Sequence, residues 1–342
     1  ARSDGNIPKD FPLPFAHTPS FVGSHVTGYD NMLRGILHYF THDVEKTDEP
    51  TEKINIIPGF DGYSPSNIKE IKRMMELMDV DYTILGDNSE ILDTPLNGTY
   101  EISVGGTSIE EVKEAKNARA TFGLLPDSVE KATATFIKGD WQHPFELMTP
   151  MGIAGTDQWL MKVSEITGKE IPAELEKERG QALDAMADSE YYLHGKRFAI
   201  YGDASYVEAL CDFYMEMGAD PVHIVVSGGK KKWGRAFEAR LKEAEFGKEA
   251  KVHYGKDLWH LRSLICHDEV DFIVGSTHGK TISKELDIPL IRIGFPILDR
   301  HHMHRYPTMG YKGVLNMVNW SVNTILDDMD RKSMDFNFDI VR

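Results

Sequence analysis

Between His17 and Gly28 the chain carries two histidines, four hydroxyl side chains, two glycines and a proline, in the order His17-Thr18-Pro19-Ser20-Phe21-Val22-Gly23-Ser24-His25-Val26-Thr27-Gly28. Pro8, Pro12 and Pro14 lead into it, excluding helix and pushing the backbone extended. Pro19 fixes φ directly before Ser20, so that hydroxyl rides on stiff backbone. Such a segment presents polar atoms at fixed positions. It equally suits a polar loop in which Ser24 or Thr27 caps the following helix.

Other segments also hold candidate chemistry. Gly275-Ser276-Thr277-His278-Gly279-Lys280-Thr281 has the composition of a phosphate loop. It has one residue too few before the Gly-Lys pair, which changes the backbone N–H groups that point inward. Asp184 and Asp188 lie four residues apart in a helical pattern, so both carboxylates share one face, as a solvated acidic face or a site for a hard cation such as Ca²⁺, Mg²⁺ or Fe²⁺. Asp299-Arg300-His301-His302-Met303-His304-Arg305 offers three histidines without the spacing of a zinc site. Asp299 with Arg300 reads there equally as a buried pair at an interface. Cys211 falls on an apolar helical stripe, as core, and Cys266 is no evident ligand. Asp257 suits a helix N-cap, with Trp259 and His260 packed on a sheet. Neither a Gly-x-Ser-x-Gly elbow nor a Gly-x-Gly-x-x-Gly fingerprint occurs, so hydrolase and dinucleotide readings lack an anchor.

The elements that must position these residues follow from periodicity. Apolar spacing predicts a helix over Tyr29–Phe40, then a charged linker over Asp43–Lys53. Strands are expected at Ile54–Ile57, Tyr82–Leu85 and Thr121–Leu125, alternating with helices over Ser66–Met78, Ser108–Lys116 and Ser128–Lys138. The pattern breaks between Pro144 and Pro150. Helices over Thr156–Thr167 and Pro172–Leu193 precede a second alternation, with strands at Arg197–Gly202, Val222–Val226, Val252–Tyr254, Phe272–Gly275 and Pro289–Ile293. A helix over Lys312–Met329 closes it. This is an α/β chain of consecutive doubly wound, Rossmann-like parallel-sheet domains. The expected division is 1–50, 51–150, and 151–342 with a helical arm at its start.

Composition narrows the partners. At 342 residues there is room for two to three domains. A net charge of −16 disfavours nucleic acid and anionic membrane, although Lys230, Lys231, Lys232 and Arg235 form a local basic patch. No apolar run approaches a membrane span. Two cysteines make no disulfide framework, and an intracellular, reducing compartment is the natural expectation. The chain opens on Ala1 rather than methionine, and the expectation is that a piece lies upstream.

Taken together, the His17–Gly28 segment, Ile54-Asn-Ile-Ile-Pro-Gly-Phe60, Leu193-His-Gly-Lys-Arg-Phe198, Gly255-Lys-Asp-Leu-Trp-His-Leu-Arg-Ser263, and Pro289-Leu-Ile-Arg-Ile-Gly-Phe-Pro296 with Asp299-Arg-His-His302 closely resemble the nitrogenase molybdenum-iron protein beta-chain family. The resemblance implies domains of the nitrogenase component 1 type and an α2β2 tetramer with a homologous alpha chain. It implies an 8Fe-7S cluster shared with that alpha chain, relaying electrons from a transiently bound iron protein. Dinitrogen is then reduced to ammonia on the alpha chain's molybdenum cofactor, so no catalytic residue is expected here. ATP is hydrolysed on the iron protein, so no nucleotide is expected on this chain, and the compartment is the cytoplasm. The family's conditional serine ligand of the oxidised cluster falls on Ser20, while its three cysteine ligands would lie upstream of Ala1. Asp184 and Asp188 fall on a carboxylate pair that helps hold a divalent cation, iron or calcium, between two beta chains. Rival readings are a paralogous scaffold for assembling the molybdenum cofactor, a two-domain nucleotide-sugar glycosyltransferase, and a purely structural subunit. Three cysteines in cluster motifs upstream would separate them.

Overall fold

The computed structural model describes residues 5, 7–8, 11–91, 93–95, 98 and 105–333. Helix α1 (His25–Thr41) leads into β1 (Ile54–Ile57), α2 (Ser64–Leu77), β2 (Tyr82–Ile84), α3 (Ile109–Glu114), β3 (Ala120–Gly123), α4 (Ala132–Phe136) and β4 (Phe145–Leu147). Two long helices, α5 (Gly152–Thr167) and α6 (Ala173–Leu193), follow. Then come β5 (Arg197–Gly202), α7 (Ala204–Glu216), β6 (Asp220–Val226), α8 (Lys231–Glu243), β7 (Lys251–Tyr254), α9 (Leu258–His267), β8 (Phe272–Gly275), α10 (Lys280–Leu286), β9 (Leu290–Arg292) and α11 (Gly310–Lys332).

The strands form two sheets, ordered β2-β1-β3-β4 and β7-β6-β5-β8-β9. All their pairings are parallel. β1, β3 and β8 are buried at every residue, as continuous apolar strands covered on both faces must be. One apolar core runs through both sheets: Ile56 and Phe122 from the first, Trp159 from α5, Phe198 and Ile200 from the second, and Met317 and Ile325 from α11. Each such side chain contributes about 1.5–3 kcal/mol. On the other face of the first sheet, Leu33 and Leu37 of α1 pack with Ile57, Leu85 and Trp141.

Three local readings need correction. The stretch between Pro144 and Pro150 holds a strand after all, β4, paired with β3 through Thr121 and Phe145. Flanking prolines hide it in the sequence, and an edge strand tolerates them. The helix expected over Ser128–Lys138 is a 3₁₀ turn at Pro126–Ser128, the short α4 and a π-turn over Ile137–Trp141. On α9, Leu261 and Ile265 face the sheet, whereas Trp259 is 74 % exposed with the Arg262 guanidinium over its ring.

Strand order places the candidate site. In an open parallel sheet, ligands gather at the carboxyl ends of neighbouring strands whose connections leave in opposite directions. For the first sheet that point lies between β1 and β3, and for the second between β5 and β8. The segments leaving these strands face one another. Asp127, beyond β3, accepts the Ser205 hydroxyl at 2.6 Å. Phe60, beyond β1, also packs edge-to-face on Phe295, beyond the neighbouring β9, with ring centroids 5.1 Å apart.

Candidate functional site

Ser20 sits in an exposed turn between two anchored stretches. On its amino side the proline-broken run lies along α1. The Leu13 N–H donates to the Tyr39 hydroxyl at 3.1 Å. Gly35 lets the run touch the helix: a Cβ there would stand 2.6 Å from the Phe15 carbonyl oxygen. On its carboxyl side Phe21 and Gly23 take positive φ, 61° and 77°, turning the chain sharply into α1. Ser24 is the N-cap, and its N–H donates to Thr27 Oγ1 at 3.4 Å. The capping expected of Ser24 and Thr27 is therefore present together with the exposed Ser20, because different residues serve the two purposes.

Among the described residues the Ser20 hydroxyl has no hydrogen-bond partner. Phe11, Leu13, Phe15, Phe21 and Val22 around it in sequence are all exposed. A run of large apolar side chains left in solvent marks a surface meant to be covered.

His25, the first residue of α1, points at the junction of the two sheets. Its Nε2 lies 3.1 Å from Asp203 Oδ2, at the end of β5. Its ring packs on Phe60 with centroids 4.7 Å apart. The Asp203 hydrogen bond holds the imidazole above its usual pKa, against the opposing effect of burial. Burial pushes the neighbouring Tyr29 hydroxyl up to about 12. Beside this junction opens a cleft of ≈ 710 Å³, lined among others by Ser24, Thr27, Asp127, Ser205, Met151 and Trp233. Along one wall α7 sets Glu208, Asp212 and Glu216 on successive turns. Arg240 neutralises the first two, and Glu216 caps α5 by accepting from the N–H groups of Ile153 and Ala154. Burial raises the carboxyls of Asp212 and Glu216 all the same.

The Gly275–Thr281 loop is filled from within. The Tyr201 ring lies against Gly275 and Gly279, where a Cβ would come within 2.4 Å of it. Its hydroxyl donates to the Ser276 carbonyl and accepts the Gly279 N–H at 2.7 Å. The Gly279 N–H that a phosphate could use is thus turned to a side chain from β5, and the Thr277 N–H to the Pro296 carbonyl. In the Asp299–Arg305 segment, Asp299 pairs with Arg292 rather than chiefly with Arg300, whose side chain is exposed. The Arg292 guanidinium and the Thr277 hydroxyl hold its carboxyl at about 2. The three histidines crowd together, His301 and His302 with ring centroids 3.6 Å apart.

Asp184 and Asp188 are exposed one turn apart on α6. Among the described residues no group of three or more His, Cys, Asp or Glu is arranged to hold a metal ion. A cation at this pair would need donors from elsewhere. Cys211 is buried, its thiol pushed well up by burial, and Cys266 is exposed on α9. The residues that sequence reasoning missed are His25 with Asp203, Tyr201, and Gly35. Only Gly35 left a signal, as a lone glycine in an apolar helical pattern.

Residues 1–326 match the nitrogenase component 1 type oxidoreductase family. The chain is 50 % identical to the nitrogenase molybdenum-iron protein beta chain of Nostoc sp., over all of this chain and 67 % of that protein. Identity to the corresponding chain of Azotobacter vinelandii is 49 %, covering 68 % of it. A solved structure described as nitrogenase Cp1 at pH 6.5 superposes with a TM-score of 0.93 at 38 % identity, over all of this chain and 73 % of that one. A second, nitrogenase Cp1 at pH 5, reaches 0.68 at 13 % identity over 91 % of this chain and 64 % of that one, which shows a shared fold.

Proposed function

This chain belongs to the nitrogenase component 1 type oxidoreductase family, as a homologue of the molybdenum-iron protein beta chain within the nitrogenase complex, and we propose that Ser20 is its ligand to an 8Fe-7S cluster shared with the alpha chain. When bound, such a cluster stores and passes single electrons. The observation that carries the reading is Ser20 itself: a hydroxyl without a partner among the described residues, in a turn braced on both sides and flanked in sequence by exposed apolar side chains.

The donor set fits this role in part. An alkoxide oxygen binds oxidised iron well and reduced, thiolate-rich iron poorly, so a lone oxygen suits a ligand that engages only in the oxidised state. Neither cysteine stands beside Ser20: one is sealed in the core and the other lies on α9. The thiolates therefore come from other chain segments. The chain's own contribution is to hold the hydroxyl within reach, to receive or release its proton, and to present Phe15, Phe21 and Val22 to the alpha chain so that water is excluded. A cluster held here would pass electrons from a transiently docked iron protein, which carries the ATP chemistry, toward the alpha chain's cofactor. The assembly is an α2β2 tetramer in the cytoplasm.

Ser20→Ala in the intact assembly is expected to leave the reduced cluster's spectrum and the steady-state activity largely intact. The electron paramagnetic resonance spectrum of the oxidised cluster changes. An oxidised spectrum identical to that of the unaltered protein removes Ser20 from the ligand set.

Asp184 and Asp188 are proposed to supply two carboxylate oxygens to a structural divalent cation, iron or calcium, between two beta chains. Their exposure on α6 and the absence of a third donor among the described residues fit a site completed by a second copy. Chelation is expected to weaken the association of the two αβ halves at least tenfold, read by analytical ultracentrifugation, with the cluster spectrum preserved. Equal tetramer content with and without chelator would sink this assignment.

A further inference from the structure

We propose that His25 is a positioning residue for the Ser20 loop, its contact with Asp203 fastening the start of α1, and with it the turn that carries Ser20, to the carboxyl end of β5. The consequence for the cluster rests on the reading of Ser20 above; the fastening is tested separately.

The loop has few other ties. Between Ser20 and His25, Phe21 and Val22 are exposed, and Phe21 and Gly23 hold left-handed backbone. The hydrogen bonds of Ser24 and Gly28 close only the first turn of α1 on itself. Ser24 lies against Gly228, beyond β6, and His25 is the residue nearest the turn in sequence that hydrogen-bonds across to the other sheet, joining positions 178 residues apart. Phe60 packs at a tilt against the ring, and Phe295 backs Phe60, so the imidazole is buttressed beside its carboxylate.

Charge makes the contact conditional. A cation at the amino end of a helix opposes the helix dipole, and the first turn of α1 contains no acidic residue to compensate. The negative groups facing the ring come from the other elements packed against it: Asp203 at the start of α7, and Asp127 beyond β3. Phe60 adds no charge. The raised pKa means the imidazolium binds its carboxylate most firmly below the ordinary histidine value of 6.5. As pH rises through the raised value, the charge-assisted bond reverts to a weaker neutral one.

The test is amide hydrogen exchange over residues 20–28 in the intact assembly, corrected for the intrinsic pH dependence of exchange. In the unaltered protein, exchange accelerates in a step above pH 6.5. His25→Ala is expected to exchange about five- to tenfold faster at pH 6, and to lose the step. His25→Gln keeps an amide donor without a titrating charge, so it restores most of the protection while the step stays absent. The oxidised-cluster signal that depends on Ser20 falls in His25→Ala and returns in His25→Gln. Unchanged exchange in His25→Ala, or a pH step that survives in His25→Gln, overturns the proposal. Exchange that behaves as expected while Ser20→Ala leaves the oxidised spectrum untouched removes the ligand reading and leaves the fastening in place.

Discussion

Asn67→Ala is expected to cost about 3–5 kcal/mol of stability, read as a lowered urea midpoint with the slope preserved. Asn67 is 2 % exposed, on α2, and its amide uses both ends. Its Oδ1 accepts the Thr308 N–H at 2.7 Å and the Met309 N–H at 3.1 Å. Its Nδ2 donates to Asp61 Oδ2 at 2.6 Å and to the Thr308 hydroxyl at 3.1 Å. Thr308 is tied in turn to Tyr206 on α7, with the two hydroxyl oxygens 2.6 Å apart. One side chain thus joins the first sheet's helix, the second sheet's helix and the start of α11. Alanine leaves two buried N–H groups without an acceptor, each costing about 1–3 kcal/mol. It also strips a donor from Asp61, whose carboxyl burial already raises. A loss below about 1 kcal/mol would show that the junction repacks and that α11 is held by its apolar face alone.

Gly35→Val is the second large effect, and its sign is opposite to what helix propensity suggests. Replacing a glycine in an exposed helix interior normally gains about 1 kcal/mol. Here even a Cβ would stand 2.6 Å from the Phe15 carbonyl oxygen and 2.9 Å from the Ala16 Cβ. The branched side chain must push the Pro12–Ala16 run off α1, breaking the Leu13–Tyr39 bond. Proteolytic cleavage between residues 11 and 20 is expected to accelerate at least tenfold, and the Ser20-dependent signal of the oxidised cluster to disappear. The core between the sheets is untouched, so thermal unfolding of the remainder stays close to that of the unaltered chain. A valine variant as resistant to cleavage as the parent would show that the run is not held by this contact.

The sequence carried most of the architecture. Strand–helix alternation foretold two parallel sheets, because an apolar run four to seven residues long between turn signals needs cover on both faces. Pro19 fixes the backbone torsion directly before Ser20, since proline acts on its own φ wherever it stands. The four-residue spacing of Asp184 and Asp188 put both on one face of α6, which helical geometry alone guarantees. These are short-range effects, set by the torsions and periodicity of the residues concerned.

What the folded chain alone decided are pairings between distant segments. Tyr201 enters the Gly275–Thr281 loop from another strand, so a motif that locally suits phosphate is occupied by a ring. His25 finds Asp203 only because the carboxyl ends of β5 and β1 are brought face to face. Asn67 meets Thr308 across 241 residues. A residue's type states what bonds it is able to make. Which partner it meets depends on strand order and helix packing, which are settled by burying the whole apolar surface at once.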